Sequence, residues 1–114
     1  MKTIIAGSRT INDQALVDQA VADSQFTITE VVCGTAEGVD QCGQEWANEH
    51  GIPIRWFPAD WEEEGKKAGP LRNERMAKYA EAAIIVWDGI SRGTADMIVR
   101  AKRHKLKLFI KHGK

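Results

Sequence analysis

Five short apolar runs alternate along the chain with segments whose apolar residues recur every three or four positions. The first run is residues 3–6. Asn12 or Asp13 then offers a helix N-cap, and Leu16, Val17, Ala20 and Val21 follow at helical spacing. The second run, 30–33, leads to a helix over about 39–50, closed by Gly51. The third is 54–57, ended by Pro58, which lacks a backbone donor. Residues 58–70 read as the longest irregular stretch, followed by a helix over about 71–81. The fourth run, 82–87, is uniformly apolar. A last helix over about 94–105 and a fifth run, 106–110, complete the pattern, with 111–114 expected as a frayed end.

The resulting order is βαβαβαβαβ. Strands alternating with helices imply a parallel sheet covered on both faces, and uniformly apolar strands say the same. Right-handed crossovers then give an α/β, Rossmann-like, doubly wound five-stranded sheet, with expected strand order 3-2-1-4-5. The strand order reverses between the first and fourth strands, and ligands of such folds sit beyond the strand carboxyl ends at that point. The loops after the strands are therefore where function is expected.

At 114 residues the chain reads as a single domain, 1–114. Sixteen basic residues balance sixteen acidic ones, which argues against a nucleic-acid binder. No apolar run approaches the roughly 18 residues of a membrane span, and the first is shorter than a signal peptide's core of roughly 7–15. A cytoplasmic protein with no membrane partner is the expectation. Cys33 and Cys42 suit a reducing compartment and lack zinc-site spacing, so no metal is expected.

Each of the informative loops has a plain and a functional reading. Gly7-Ser8-Arg9 is either an ordinary turn or an amide, a hydroxyl and a guanidinium for phosphate. Gly34-Thr35-Ala36-Glu37-Gly38-Val39-Asp40 precedes a helix, whose free amides and dipole favour an anion. Its spacing matches neither the dinucleotide fingerprint nor a P-loop, so no cofactor is expected. Asp40 is either a helix cap or a partner for ribose or arginine. Asp60 and Trp61 stand beside a solvated acidic run, with Trp61 either stacking on a base or covering the sheet. Arg72 and Asn73 fall in the first turn of the helix expected from 71, where an arginine opposes the dipole. That conflict makes sense if an anion compensates, or if Arg72 pairs with Asp40 or Asp60. Trp87-Asp88-Gly89-Ile90-Ser91-Arg92-Gly93-Thr94 again sets glycines and hydroxyls before a helix, with Ser91 or Thr94 as a cap. Cys33 reads as a packed thiol, His50 and His104 as helix C-terminal residues, and Trp46, Trp56 and the methionines as core or an oligomer interface.

Six ordered blocks together resemble the small stand-alone SLOG-type proteins, the YspA/YpsA-like group found in bacteria and phages. They are Ile5-Ala6-Gly7-Ser8-Arg9, Gly34-x-Ala36-x-Gly38-Val39-Asp40, Trp46-Ala47, Phe57-Pro58-Ala59-Asp60-Trp61, Ala68-Gly69-Pro70-x-Arg72-Asn73-x-x-Met76 and Trp87-Asp88-Gly89-x-Ser91-x-Gly93-Thr94. The resemblance implies a Rossmann-like domain binding a nucleotide or nucleotide-derived ligand at the strand ends. The wider superfamily includes LOG phosphoribohydrolases and the DNA-processing protein DprA/Smf. Against the LOG pattern, Arg72-Asn73 matches an Arg-Lys pair and Gly93-Thr94 matches the Gly-Thr of a Gly-Thr-x-x-Glu motif. Met97 occupies the glutamate position, and Asp96 lies about 100° around the helix from it. Phosphate-binding parts are thus retained while the supporting carboxylate is absent from its place. Asp60, Asp88 and Asp96 are the carboxylates that could substitute.

The leading expectation is a protein that senses, carries or sequesters a phosphorylated, nucleotide-like small molecule. Gly7, Ser8, Arg9, Gly34, Arg72, Gly93 and Thr94 would hold phosphate, with Trp61 or Trp87 on the base. Thr35, Ala36, Gly38, Asp40, Asp60, Asn73, Asp88, Gly89 and Ser91 complete the expected ligand-binding set. The alternative is a nucleoside monophosphate N-glycosidase, with Arg72, Asp88 and Asp96 as catalytic candidates. A third reading is DprA-like single-stranded DNA binding, against which the zero net charge weighs. The tryptophans and the resemblance also point to a homo-oligomer.

Overall fold

The computed structural model describes residues 1–113. Strands β1 (Lys2–Gly7), β2 (Glu30–Cys33), β3 (Ile54–Trp56), β4 (Ala82–Trp87) and β5 (Lys107–His112) form one sheet. All its pairings are parallel, in the order β3-β2-β1-β4-β5. The fold is α/β and Rossmann-like, as the alternating pattern predicts.

The period of two along each strand sorts the core into two layers. Ile5, Val31, Cys33, Ile84 and Val86 face helices α1 (Gln14–Ser24) and α2 (Val39–Glu49), through Val17, Ala20, Val21, Cys42 and Ala47. Ile4, Ala6, Val32, Ala83 and Ile85 face α4 (Ala68–Tyr79) and α5 (Arg92–Arg103), through Met76, Ala77, Ala80, Met97, Ile98 and Ala101. Burial on both faces is why these strands carry uninterrupted apolar runs. Asp13 is the N-cap of α1, its carboxylate accepting from the Leu16 amide at 3.1 Å. Among the described residues no helix is long and apolar enough to cross a membrane.

Three local expectations are corrected. Residues 58–70 are not irregular throughout: a short helix α3 (Trp61–Glu64), capped by Asp60 accepting from the Glu63 amide, passes through a 3-10 turn into α4. Helix α4 therefore begins at Ala68, not 71, with Ala68 fully buried. Pro70 is its third residue, where a missing N–H costs nothing. Arg72 then lies in the second turn, away from its own helix's free amides. The chain end does not fray at 111: β5 continues to His112, and the Gly113 amide donates to the Trp87 carbonyl at 2.9 Å. Lys114 lies outside the described residues.

Candidate functional site

Strand β1 carries the chain toward β2 on one side of the sheet, and β4 toward β5 on the other. Their following loops diverge and open a gap at the carboxyl rim. Ser8 fastens the base of that gap. Its amide donates to the Val86 carbonyl at 3.1 Å, and its buried hydroxyl accepts from the Asp88 amide at 3.0 Å. Gly7 is needed beside it, since a β-carbon there would stand 1.9 Å from the Val86 carbonyl oxygen.

Above this base lies a cleft of about 750 Å³, the size of a small-molecule site. Gly7 at the end of β1 and Arg9 in the loop after it line the cleft, as do Thr35 and Ala36 from the loop after β2 and Asp40 from the start of α2. Trp61 closes one wall, with its indole against Gly69. Arg72 and Asn73 enter from α4; Ser91, Gly93, Thr94 and Asp96 enter from the last loop and α5. The structure thus brings together twelve of the residues the sequence singles out, from five separate segments.

The others lie beneath or beside the cleft. Gly34 lies beneath the Arg72 guanidinium, and Gly38 is the N-cap of α2 with φ 74°. Asp60 caps α3. Asp88 caps its own loop by accepting from the Ile90 and Ser91 amides, both at 2.8 Å, and these bonds hold its carboxyl below the usual range. Gly89 supplies the positive φ of that turn. Trp87 donates its indole N–H to the Ser91 carbonyl at 3.1 Å and stacks on His112, so its ring braces the loop from outside.

Some lining residues lie outside the expected ligand-binding set. Ala6, Met76 and Met97 form the apolar floor but read as core, since each lies on a core-facing period. Ala59, Gly69 and Pro70 reach the cleft only because residues 58–70 fold into α3 and the start of α4. Glu37 and Arg92 are charged rim residues inside glycine-bearing loops, and that position was the available signal.

Arg72 is the best-held cation of the site. Its Nε donates to Asn73 Oδ1 at 3.1 Å and its Nη1 to the Phe57 carbonyl at 3.4 Å. Asn73 is itself buried and donates to the Gly93 carbonyl at 3.2 Å and Asp96 Oδ2 at 2.9 Å. Among the described residues no carboxylate lies within ion-pair distance of Arg72. Its Nη2 makes no hydrogen bond there, yet no buried side-chain nitrogen lacks a partner, so Nη2 opens to solvent in the cleft. Asp96 by contrast is engaged, accepting also from Arg100 Nε at 2.9 Å.

Asp40 is not a helix cap: it is the second residue of α2, after Gly38, and its Oδ2 accepts from the Ala36 amide at 3.3 Å. Burial pushes its carboxyl up to about 6, against the lowering influence of Arg72 and of the Ala36 and Gly7 amides. Burial and the nearby Asp40 charge push the Cys33 thiol up to about 12, so it stays neutral.

The sequence pattern described as the YspA, cpYpsA-related SLOG family matches residues 1–63. The chain belongs to that family. A relative, the Gene 61 protein of Mycobacterium phage D29, is 33% identical over 112 residues, covering 90% of this chain and 89% of its own. No solved structure matches. In this SLOG protein the family match ends before Arg72, so the α4 and α5 side of the cleft rests on the geometry above.

Proposed function

We propose that this protein binds a nucleotide or nucleotide-derived phosphorylated small molecule at the carboxyl rim of its sheet, as sensor, carrier or sequestering protein. The observation that carries this reading is the Arg72 guanidinium, anchored on two nitrogens and free on the third, inside a cleft of nucleotide size. A phosphate there meets a preformed charge-assisted donor. Trp61, 60% exposed at the wall, offers a stacking face for the base. Cys33 and Cys42 are free thiols, which fits a cytoplasmic setting, and exposed Trp56 on edge strand β3 fits a homo-oligomer.

The test is a calorimetric and thermal-shift panel of nucleoside mono- and diphosphates and cyclic ADP-ribose derivatives, with mass spectrometry of the denatured protein for a co-purified ligand. At least one nucleotide should raise Tm, and Arg72→Ala should weaken it by about tenfold or more, the worth of a charged hydrogen bond. No shift with any nucleotide, or an unchanged one in Arg72→Ala, overturns the reading.

A hydrolase reading has one observation in its favour: the Asp40 and Asp96 carboxylates share the cleft with Arg72. Arg72 would orient phosphate while a carboxylate stabilises a cationic sugar transition state. The glutamate position of the LOG motif, Met97, is buried and apolar. Free base released from a nucleoside monophosphate, and lost in Asp96→Asn or Asp40→Asn, would establish this chemistry.

A further inference from the structure

Among the described residues Asp40 is the one buried carboxylate, and it faces the cleft. From α4 it is met by Arg72, and from β2 by the neutral thiol of Cys33. Strand β1 and the loop before α2 supply the amides of Gly7 and Ala36. The other charged groups lining the cleft are Arg9, Glu37, Arg92 and Asp96. The point where a Gly34 β-carbon would stand lies 2.2 Å from Arg72 Nη1 and 2.9 Å from Asp40 Oδ2. The two groups flank that point without closing into an ion pair. Asn73 and the Phe57 carbonyl hold the guanidinium back, and the Ala36 amide holds the carboxylate. A desolvated carboxylate left beside an uncommitted arginine is an incomplete arrangement.

We propose that Arg72 and Asp40 are two halves of one anion site, which takes the phosphate of the ligand together with one proton carried on Asp40. The proposal rests on the phosphate reading above. A phosphate dianion on Arg72 engages the charge that steadies ionised Asp40, and adds two like charges beside it. Three negative charges this close cannot all persist in a desolvated pocket. The proton comes from solvent and settles on an Asp40 carboxyl oxygen. Asp40 thereby changes from an acceptor that repels phosphate into an O–H donor that bonds it. No covalent bond is made or broken.

The experiment uses AMP and inorganic sulfate with the full chain. Calorimetry of AMP at pH 7.5, in two buffers of different ionisation enthalpy, counts protons taken up. Wild type should take up close to one proton more than Asp40→Asn, the phosphate's own proton being common to both. Sulfate does not titrate near neutrality, so its affinity for wild type should fall about tenfold per pH unit from 7 to 8.5. In Asp40→Asn that dependence should vanish, leaving the variant the tighter binder at pH 8.5. Equal proton counts, or a flat sulfate profile in wild type, overturn the proposal while leaving the phosphate reading standing. Failure of both anions to bind wild type overturns this proposal, and the full nucleotide panel then decides the phosphate reading. If Asp40→Asn does not fold, the wild-type sulfate series decides.

Discussion

The guanidinium of Arg72 rests directly on the backbone of Gly34, so close that a β-carbon at Gly34 would meet Nη1 at 2.2 Å. Gly34 does not have the positive φ that excludes other residues. Alanine is therefore conformationally acceptable there, and its methyl acts by displacing Arg72. Gly34→Ala should cost roughly 1–3 kcal/mol of stability, since the methyl also stands 2.9 Å from the buried Asp40 Oδ2, while weakening nucleotide binding about tenfold or more. Urea denaturation and calorimetry on the same preparation separate the two effects; full affinity in this variant would contradict the anchoring role of Arg72.

Asn73 joins three parts of the site at once: Arg72 Nε, the Gly93 carbonyl and Asp96. Removing its amide leaves buried partners unsatisfied. Asn73→Ala should lower unfolding stability by roughly 1–3 kcal/mol. Nucleotide affinity should fall as well, because Arg72 loses its brace and α5 its tie to α4. A variant with native stability would mean that water replaces these bonds.

Asp40 sets a measurable pH dependence. Its ordinary value of 3.8 is raised to about 6 in the folded protein, so the folded state holds the proton more tightly than the unfolded chain does. Its contribution to stability is complete below pH 4, is lost as pH rises through 6, and is constant above. By linkage the loss is on the order of 3 kcal/mol. Asp40→Asn cannot titrate, so the stability difference, variant minus wild type, should shift in the variant's favour by that amount between pH 4 and 7. Urea denaturation of both proteins at the two pH values measures it; a constant difference would place the Asp40 carboxylate in a better-solvated setting.

Ser8 ties the two diverging loops together at the switch point. Ser8→Ala leaves the Asp88 amide without its acceptor and should cost about 1–2 kcal/mol. The loss should appear locally, as faster hydrogen exchange at Asp88 and its loop before any change in the strands. Uniform acceleration across the sheet would indicate a global role instead.

The alternation of apolar runs with helical spacing determined the five strands, the four long helices, the parallel sheet and its strand order, though not the short helix α3, because strands buried on both faces and right-handed crossovers leave few arrangements. It also marked the rim loops, since glycines and hydroxyls before helix starts are visible in one dimension. Two boundaries were not legible. The start of α4 is set by Ala68 docking into the core, and the last turn of β5 by its pairing with Val86 and Trp87. Nor could the sequence sort its aspartates. Asp60 and Asp88 satisfy nearby amides, whereas Asp96 and Asp40 reach the cleft, and only Asp40 is desolvated there. Local spacing specifies which residue can cap a turn. Burial and the approach of Arg72 to Gly34 across β2 and α4 arise only when distant segments pack, and they give one carboxylate and one guanidinium their distinct chemistry.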